Sequence, residues 1–100
     1  MSESKFTAEL AEYAEKLGFR VWPVNQTRGK PKFYMKKGFA DLCMFGHNRT
    51  LFVETKADRN MQSAQQMAFE QACKQGGSLY WVCRTTEEFR VAGQAKGWWR

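Results

Sequence analysis

The chain has 100 residues, of which 43% are hydrophobic, 15% aromatic and 26% charged, a composition typical of one globular domain over residues 1–100 and not of a disordered, collagen-like or coiled-coil chain. Its formal net charge of +6 is unevenly distributed, because residues 19–40 contain six basic side chains and no acidic one. No apolar run approaches the ~20 residues of a membrane helix and the first residues lack an apolar signal region, so we expect a cytoplasmic protein rather than a membrane or secreted one.

A helix, a strand and a basic loop are predicted first along the chain. Hydrophobic residues recur at helical spacing from Phe6 to Leu17, and Gly18 follows them as the residue that ends the helix. The alternating run Phe19–Val24 is rich in aromatic and β-branched residues, which predicts a strand. The segment Asn25–Lys37 contains glycine and proline and therefore predicts a loop or a distorted hairpin.

Two strand-like runs, Asp41–Phe45 and Thr50–Lys56, predict a β-hairpin that turns at His47 and Asn48. We expect His47, the single histidine, to be a solvated turn residue. Because side chains alternate along a strand, one face of the hairpin is apolar and is the predicted core. That face carries Leu42, Met44, Leu51 and Val53.

A helix, a strand and a last helix are predicted in the second half of the chain. Asn60 or Ser63 caps a helix that runs to about Lys74. Ser78–Cys83 is almost continuously apolar, which is typical of an interior strand. Thr85–Glu88 has the pattern of a capping box. The resulting order, α-β-β-β-α-β-α, predicts a fold of the α/β class. Its first three strands form an antiparallel meander, and a right-handed crossover leads to a parallel fourth strand. The sheet is therefore mixed, with helices flanking it.

Two acidic side chains face each other in the predicted hairpin. Its register places Asp41 opposite Glu54, with Cβ atoms about 4.5–5.5 Å apart, and an acid pair inside a sheet is destabilising unless something neutralises it. A divalent cation would do so, since Mg²⁺ is typically bound by one or two carboxylates together with phosphate and water. The alternative is that Lys56, which projects from the same face as Glu54, compensates both acids at an exposed strand end.

The first helix supplies a third candidate acid. Glu3 lies near the core-facing stripe of this helix, where an acidic residue is out of place. We therefore expect it to face the same pocket as the hairpin acids, with Glu9 as the alternative.

Several motifs between Glu3 and Glu88 together resemble the VRR-NUC domain, a family of the PD-(D/E)xK, or restriction-endonuclease-like, nuclease superfamily. The segments that carry the resemblance are Trp22-Pro-Val-Asn25, Gly38-Phe-Ala-Asp41-Leu, Phe52-Val-Glu54-Thr-Lys56, Ser63-Ala-Gln-Gln66-Met-Ala-Phe69, Gly76-Gly77 and Val82-Cys-Arg84-Thr. The resemblance implies a restriction-endonuclease-like α-β-β-β-α-β core and a DNA endonuclease that depends on Mg²⁺ or Mn²⁺.

The resemblance also implies roles for individual residues. Asp41, Glu54 and the Thr55 carbonyl would bind the metal, and Glu3 would hold a second metal or an outer-shell water. Lys56 would orient or deprotonate the attacking water and help to stabilise the pentacovalent phosphate. A further glutamine, Gln66, would support Lys56 or the phosphate.

The basic segment is the predicted DNA-binding surface. Its phosphate contacts are predicted to come from Arg28, Lys30, Lys32, Lys36 and Lys37. The alternative is a merely solvated basic loop. Small stand-alone members of the family look like homodimers of phage or prophage origin, which implies a homodimer acting on branched DNA such as a Holliday junction, in the host cytoplasm. A flap or nicking nuclease acting as a monomer or subunit, and a non-catalytic DNA-binding module, remain open.

Aromatic side chains near the basic segment and at the tail leave several alternatives open. For Trp22 and Phe39, packing in the core is favoured over stacking on unpaired bases or lining a dimer seam. Trp98 and Trp99 are predicted to form a packing or dimer patch. An apparent surplus of large apolar side chains favours the homodimer. It consists of Phe33, Tyr34, Met35, Trp98 and Trp99.

Overall fold

The computed structural model describes residues 3–24, 40–56 and 61–99. Its elements are, in chain order, α1 (Glu3–Lys16), β1 (Arg20–Pro23), β2 (Leu42–Gly46), β3 (Arg49–Thr55), α2 (Ala64–Gln75), β4 (Leu79–Cys83) and α3 (Thr86–Ala95). The predicted order and types of the elements are confirmed. The predicted loop Asn25–Lys37 lies outside the described residues, as does Asn60. None of the described helices combines the length and the apolar character that a membrane span requires.

The four described strands form one mixed sheet in the order β1-β2-β3-β4. The β1–β2 and β2–β3 pairs are antiparallel, and the β3–β4 pair is parallel. Cys43 pairs with Phe52 and Leu42 with Val53, so the predicted hairpin register is confirmed. The prediction that β4 is an interior strand is wrong, since β4 lies at an edge of the described sheet. Its apolar run has another cause, which is that helices cover both faces of the strand.

The hairpin turn has a backbone conformation that fixes its register. His47 and Asn48 both have positive φ, 51° and 59°, as the two central residues of a type I′ turn require. His47 is exposed, as predicted, but its Nε2 also lies 2.7 Å from the Leu17 carbonyl oxygen. Its ring stacks on Trp98 at an interplanar angle of 10°. The turn is thereby tied to the end of α1 and to the tail.

The sheet separates two cores of unequal size. The larger core lies on the face covered by α1 and α3, and the four predicted hairpin residues belong to it. Its buried members are Phe6, Leu10, Ala14, Phe19, Leu42, Met44, Leu51, Val53, Cys83 and Phe89. The smaller core lies under α2 on the other face, where Cys73 and Phe69 meet Phe52, Tyr80 and Val82. Both faces of β3 and β4 are therefore covered.

The two tryptophans of the tail pack on the larger core of the same chain. Trp98 stacks on Trp81 with ring centroids 5.2 Å apart, and Trp99 Nε1 donates to the Arg90 carbonyl oxygen over 2.8 Å. A Cβ at Gly93 would lie 1.9 Å from the Trp99 ring, so only glycine fits beneath it. The packing prediction is confirmed, and these two side chains do not belong to the apolar surplus proposed for a dimer. Phe33, Tyr34 and Met35 lie outside the described residues.

One aromatic prediction is wrong. Trp22, for which core packing was favoured, has 55% of its surface exposed, and it contacts Phe45, which is 45% exposed. The reason is that α2 reaches across β3 and β4 but leaves this part of β1 and β2 uncovered. Phe39 lies outside the described residues.

Candidate active site

The candidate site lies where β2 begins and β3 ends. Asp41 directly precedes β2, and its carbonyl accepts a hydrogen bond of 2.8 Å from the backbone of Val24, which follows β1. Glu54 is the penultimate residue of β3, and Lys56 follows that strand. The hairpin register that pairs Leu42 with Val53 continues to Asp41 and Glu54, whose side chains are in hydrogen-bond contact. The predicted opposition of the two acids is therefore present.

Glu54 is buried and held at both carboxylate oxygens. Only 1% of its surface is exposed. Its Oε1 accepts a 2.8 Å hydrogen bond from Gln66 Nε2, and its Oε2 accepts one of 3.2 Å from the Tyr80 hydroxyl. The Tyr80 oxygen accepts in turn from Gln62 Nε2 at 3.3 Å. Two elements, α2 and β4, thus fix the orientation of one carboxylate.

The start of α2 explains how Gln66 reaches this acid. Ser63 is the N-cap, its hydroxyl accepts from the Gln66 backbone, and Gln66 Oε1 accepts from the Ser63 backbone over 2.9 Å. This reciprocal capping box fixes the glutamine rotamer. Its Nε2 is then directed at Glu54. The prediction that Gln66 supports Lys56 or the phosphate differs from this arrangement, in which its described side-chain contacts are with Ser63 and Glu54.

Burial and the neighbouring acid raise the pKa of Glu54 to about 8. Loss of hydration is the larger cause, and the hydrogen bond and negative charge of Asp41 add to it. Lys56 and the Tyr80 hydroxyl lower the Glu54 pKa, but not enough to offset these causes. At neutral pH and without a cation, Glu54 therefore carries a proton that it donates to Asp41. The acid pair is a site that an added positive charge would stabilise.

Asp41 is held by the end of β3. Its Oδ2 accepts two hydrogen bonds of 2.8 Å from Thr55, one from the backbone N–H and one from the hydroxyl. The Thr55 hydroxyl contacts the hydroxyl of Thr7 on α1. Since Thr55 donates its single hydroxyl proton to Asp41, Thr7 is the donor in that contact. A chain of hydroxyl groups therefore connects α1 to the acid pair.

Lys56 is also buried, with 8% of its surface exposed, and its backbone N–H bonds to the Cys83 carbonyl over 3.1 Å. Its Nζ lies 3.9 Å from Glu54 Oε1, a long contact that becomes an ion pair when Glu54 loses its proton. The alternative in which Lys56 compensates both acids at an exposed strand end is wrong. The strand end is buried, and the pKa of Glu54 stays raised despite the lysine.

The predicted third acid belongs to α1, and the basic residues predicted to bind DNA follow β1 in the chain. Glu3 is the first residue of α1, and position 3 lies one turn before Thr7, but the prediction for its side chain lies outside what the structure describes. Glu9 is exposed and only two positions from Thr7, which places it on another side of the helix. The alternative, in which Glu9 rather than Glu3 faces the pocket of the hairpin acids, is therefore wrong. The basic residues Arg28, Lys30, Lys32, Lys36 and Lys37 lie outside the described residues.

The two carboxylates fit a divalent cation with oxygen ligands. A carboxylate offers about four acceptor directions, and the hydrogen bonds from Gln66 and Tyr80 use two of those on Glu54. Within residues 3–24, 40–56 and 61–99 no group of three or more His, Cys, Asp or Glu side chains comes together. One or two carboxylates suffice for Mg²⁺ when phosphate and water complete its shell. The three cysteines are free; Cys73 and Cys83 are buried and Cys43 is half-buried.

Sequence reasoning did not identify Tyr80 and Thr7 as contacts of the site. Tyr80 reaches Glu54 through the parallel register, in which Phe52 pairs with Tyr80 and Glu54 with Val82. The one available signal was a hydroxyl group in an otherwise apolar strand, since a buried tyrosine oxygen needs a partner. Thr7 gave a similar signal on the core-facing side of α1.

Comparison with known proteins identifies the fold. No family model matches the sequence, and no curated protein matches it. The chain is similar to the solved structure of Hjc, a Holliday junction resolvase from the archaeal hyperthermophile Archaeoglobus fulgidus, with a TM-score of 0.56 and 20% identity over 82% of this chain and 67% of that chain. The predicted restriction-endonuclease-like fold of the α/β class is thereby confirmed.

Proposed function

We propose that this protein is a DNA endonuclease of the VRR-NUC type that depends on Mg²⁺ or Mn²⁺ and cuts branched DNA as a homodimer. The observation that carries the proposal is the pair formed by the half-buried Asp41 and the buried Glu54, with Lys56 beside Glu54 at the end of β3. A protein that only binds DNA gains nothing from an acid pair that is costly to bury.

Asp41, Glu54 and the Thr55 carbonyl are the groups that would hold the cation. When bound, a divalent cation polarises a phosphoryl oxygen and lowers the pKa of a coordinated water. The resemblance suggests that Glu3 holds a second cation or an outer-shell water. The fit of the site rests on Asp41 and Glu54, because two opposed carboxylates, one of them buried, are stabilised by an added positive charge.

The surrounding residues keep the two acids in place. Gln66 and Tyr80 hold the Glu54 carboxylate, and Thr55 holds that of Asp41, so little reorganisation is needed when charge develops on the phosphate. The Lys56 ammonium can donate but cannot ligate a metal. Beside Glu54 it can orient the attacking water or donate to a phosphoryl oxygen, and its burial strengthens either interaction.

Two further observations support branched DNA as the substrate. A solved structure that shares this fold is a Holliday junction resolvase. The charge excess of residues 19–40 provides the cations that phosphate binding needs. A domain of this size covers little DNA by itself, and a homodimer would place two sites in the symmetric relation of a four-way junction.

A cleavage panel tests the proposal. Linear, flap, splayed and four-way DNA would be incubated with the wild type in Mg²⁺, Mn²⁺ or EDTA. Glu54→Gln would be compared with Glu87→Gln, which changes an exposed acid paired with Arg90. We expect cleavage of four-way DNA with metal, none in EDTA or with Glu54→Gln, and wild-type rates with the control. Cleavage by Glu54→Gln at the wild-type rate would contradict the proposal.

The oligomeric state is measured separately. Light scattering at micromolar concentration should give about twice the 11.7 kDa mass of the chain. A monomer mass combined with intact cleavage of four-way DNA would contradict the homodimer. If flap or nicked substrates are cut faster than four-way DNA, the protein is a flap or nicking nuclease and not a junction resolvase.

A further inference from the structure

Two aromatic side chains form an exposed surface beside the candidate site. Trp22 and Phe45 are 55% and 45% exposed, and their rings meet edge to face with centroids 5.7 Å apart. We call this pair the aromatic surface. Single exposed apolar side chains are common on protein surfaces, but contiguous ones mark interaction sites, and these two rings are in contact.

The aromatic surface lies on the same face of the sheet as Glu54. Paired residues of a sheet share a face, and Trp22 pairs with Cys43, which pairs with Phe52. Glu54 is two residues beyond Phe52, so its side chain projects from that face as well. α2 covers Phe52 and Tyr80 on this face but not Trp22. The surface and the acid pair therefore open on the same side of the molecule.

Strand geometry gives the distance between Trp22 of the aromatic surface and Asp41 of the acid pair. Asp41 is two residues from Cys43, the partner of Trp22, and strands rise about 3.4 Å per residue with neighbours about 4.8 Å apart. The Cα atoms of Trp22 and Asp41 are therefore about 8–9 Å apart. Stacked bases rise about 3.4 Å each along one strand, so this separation corresponds to two or three bases.

The charge beside the aromatic surface favours an anionic occupant. Arg20 is exposed and pairs with Phe45, so it lies on the same face. It is the first of the six basic residues in the stretch 19–40, which contains no acid. A second copy of the chain docked here through a two-fold axis would bring its own exposed Arg20 towards the Arg20 of the first copy. A nucleotide combines a flat apolar ring with a negative charge and matches both features.

We propose that Trp22, supported by Phe45, is a stacking site for an unpaired nucleobase at a branch in DNA, two or three bases from the bond that is cut. This inference rests on the proposed function, and it adds a contact that distinguishes branched from continuous duplex DNA. A branch interrupts the base stack and exposes the ring faces that an aromatic side chain can cover. Such stacking tolerates any base, because every base has an aromatic face.

Binding without cleavage tests the proposal. Fluorescence anisotropy in EDTA would compare splayed DNA, which has unpaired bases, with a fully paired duplex of the same length. The proteins are the wild type, Trp22→Ala, Trp22→Phe and Val91→Ala, a control that trims another exposed apolar residue, on α3. We expect Trp22→Ala to weaken binding of splayed DNA by roughly 5- to 100-fold, with duplex binding unchanged. Trp22→Phe should restore most of the loss, and the control should match the wild type.

Each other outcome overturns the inference. Equal losses on splayed and duplex DNA would make Trp22 a general contact, and no loss on either would remove it from the DNA surface. A halved mass of Trp22→Ala in light scattering would identify a second copy as the occupant. A wild type that binds neither DNA would overturn the proposed function as well, whereas intact wild-type binding with an unaffected Trp22→Ala overturns the stacking site alone.

Discussion

Replacing Glu54 by glutamine should stabilise the metal-free protein at alkaline pH. The folded-state pKa of Glu54 is about 8, against its ordinary value of 4.5. Because this acid has a raised pKa, the folded state binds more protons than the unfolded state between these two values. Stability is therefore fully present below about pH 4.5 and is lost as the pH rises towards 8. Glutamine cannot ionise, so the variant lacks this loss.

The shift in the pKa of Glu54 sets how much Glu54→Gln can change the free energy of unfolding. A difference of about 3.5 pKa units at about 1.36 kcal/mol each sets an upper limit of about 5 kcal/mol above pH 8. Glutamine also places an NH₂ group near the donors Gln66 and Tyr80, which costs about 1–3 kcal/mol in lost hydrogen bonds. We therefore expect a net gain of at most about 2–4 kcal/mol at pH 8.5 and a net loss of about 1 kcal/mol at pH 5, where the wild-type Glu54 is still protonated and only the lost hydrogen bonds count.

Urea unfolding in EDTA at several pH values measures this difference. The wild type should lose stability between pH 5 and 8.5, while Glu54→Gln stays level. Glu87→Gln, at an exposed acid, should retain the wild-type slope. Addition of Mg²⁺ at 100 times its Kd should stabilise the wild type by about 2.7 kcal/mol and leave Glu54→Gln unchanged. If the free energy of unfolding has the same pH dependence in the wild type and in Glu54→Gln, Glu54 is not protonated in the metal-free protein and the prediction is refuted.

Three other variants test separate parts of the site. Lys56→Ala should lower the rate of single-turnover cleavage by about 10²- to 10³-fold. The Mn²⁺ affinity measured by calorimetry should change little, because an ammonium group is no metal ligand. A large loss of Mn²⁺ affinity with an intact cleavage rate would contradict the role of Lys56 beside the attacking water or the phosphate. Tyr80→Phe should weaken Mn²⁺ binding by about 10- to 100-fold, since it removes a hydrogen bond that orients Glu54, with a thermal melt showing that the fold is retained. Unchanged affinity would limit Tyr80 to packing. Replacing Lys36 and Lys37 together by alanine should flatten the salt dependence of DNA binding by roughly two units, and an unchanged slope would make them solvated residues.

The features that depend on short-range rules could be predicted from the sequence. A two-residue turn fixes the pairing of β2 with β3, and alternation then fixes which side chains share a face, so Asp41, Glu54 and Lys56 were brought together correctly. Ser63, one of the two residues predicted to cap α2, is the observed N-cap, and such a cap is recognisable because it depends on a local pattern. These inferences use only residues close together in the chain.

The features that depend on distant elements could not be predicted in this way. The contact of Tyr80 with Glu54 needs the register of a parallel pair, which no turn specifies. The contact of Thr7 with Thr55 needs the docking position of α1 on the sheet. The exposure of Trp22 depends on how far α2 extends over the sheet. Composition alone favours burial for such a side chain.

The uneven sizes of the two cores have a consequence for the motions of the site. Of the 12 residues of α2, only Cys73 is buried, so this helix is held by few apolar contacts and belongs to the part of the molecule that opens at low free energy. When α2 detaches, Gln66 leaves Glu54 and water reaches the acid. The backbone amides of α2 should then exchange with deuterium faster than those of β3. A bound cation, which favours the closed arrangement around Glu54, should slow the exchange of α2.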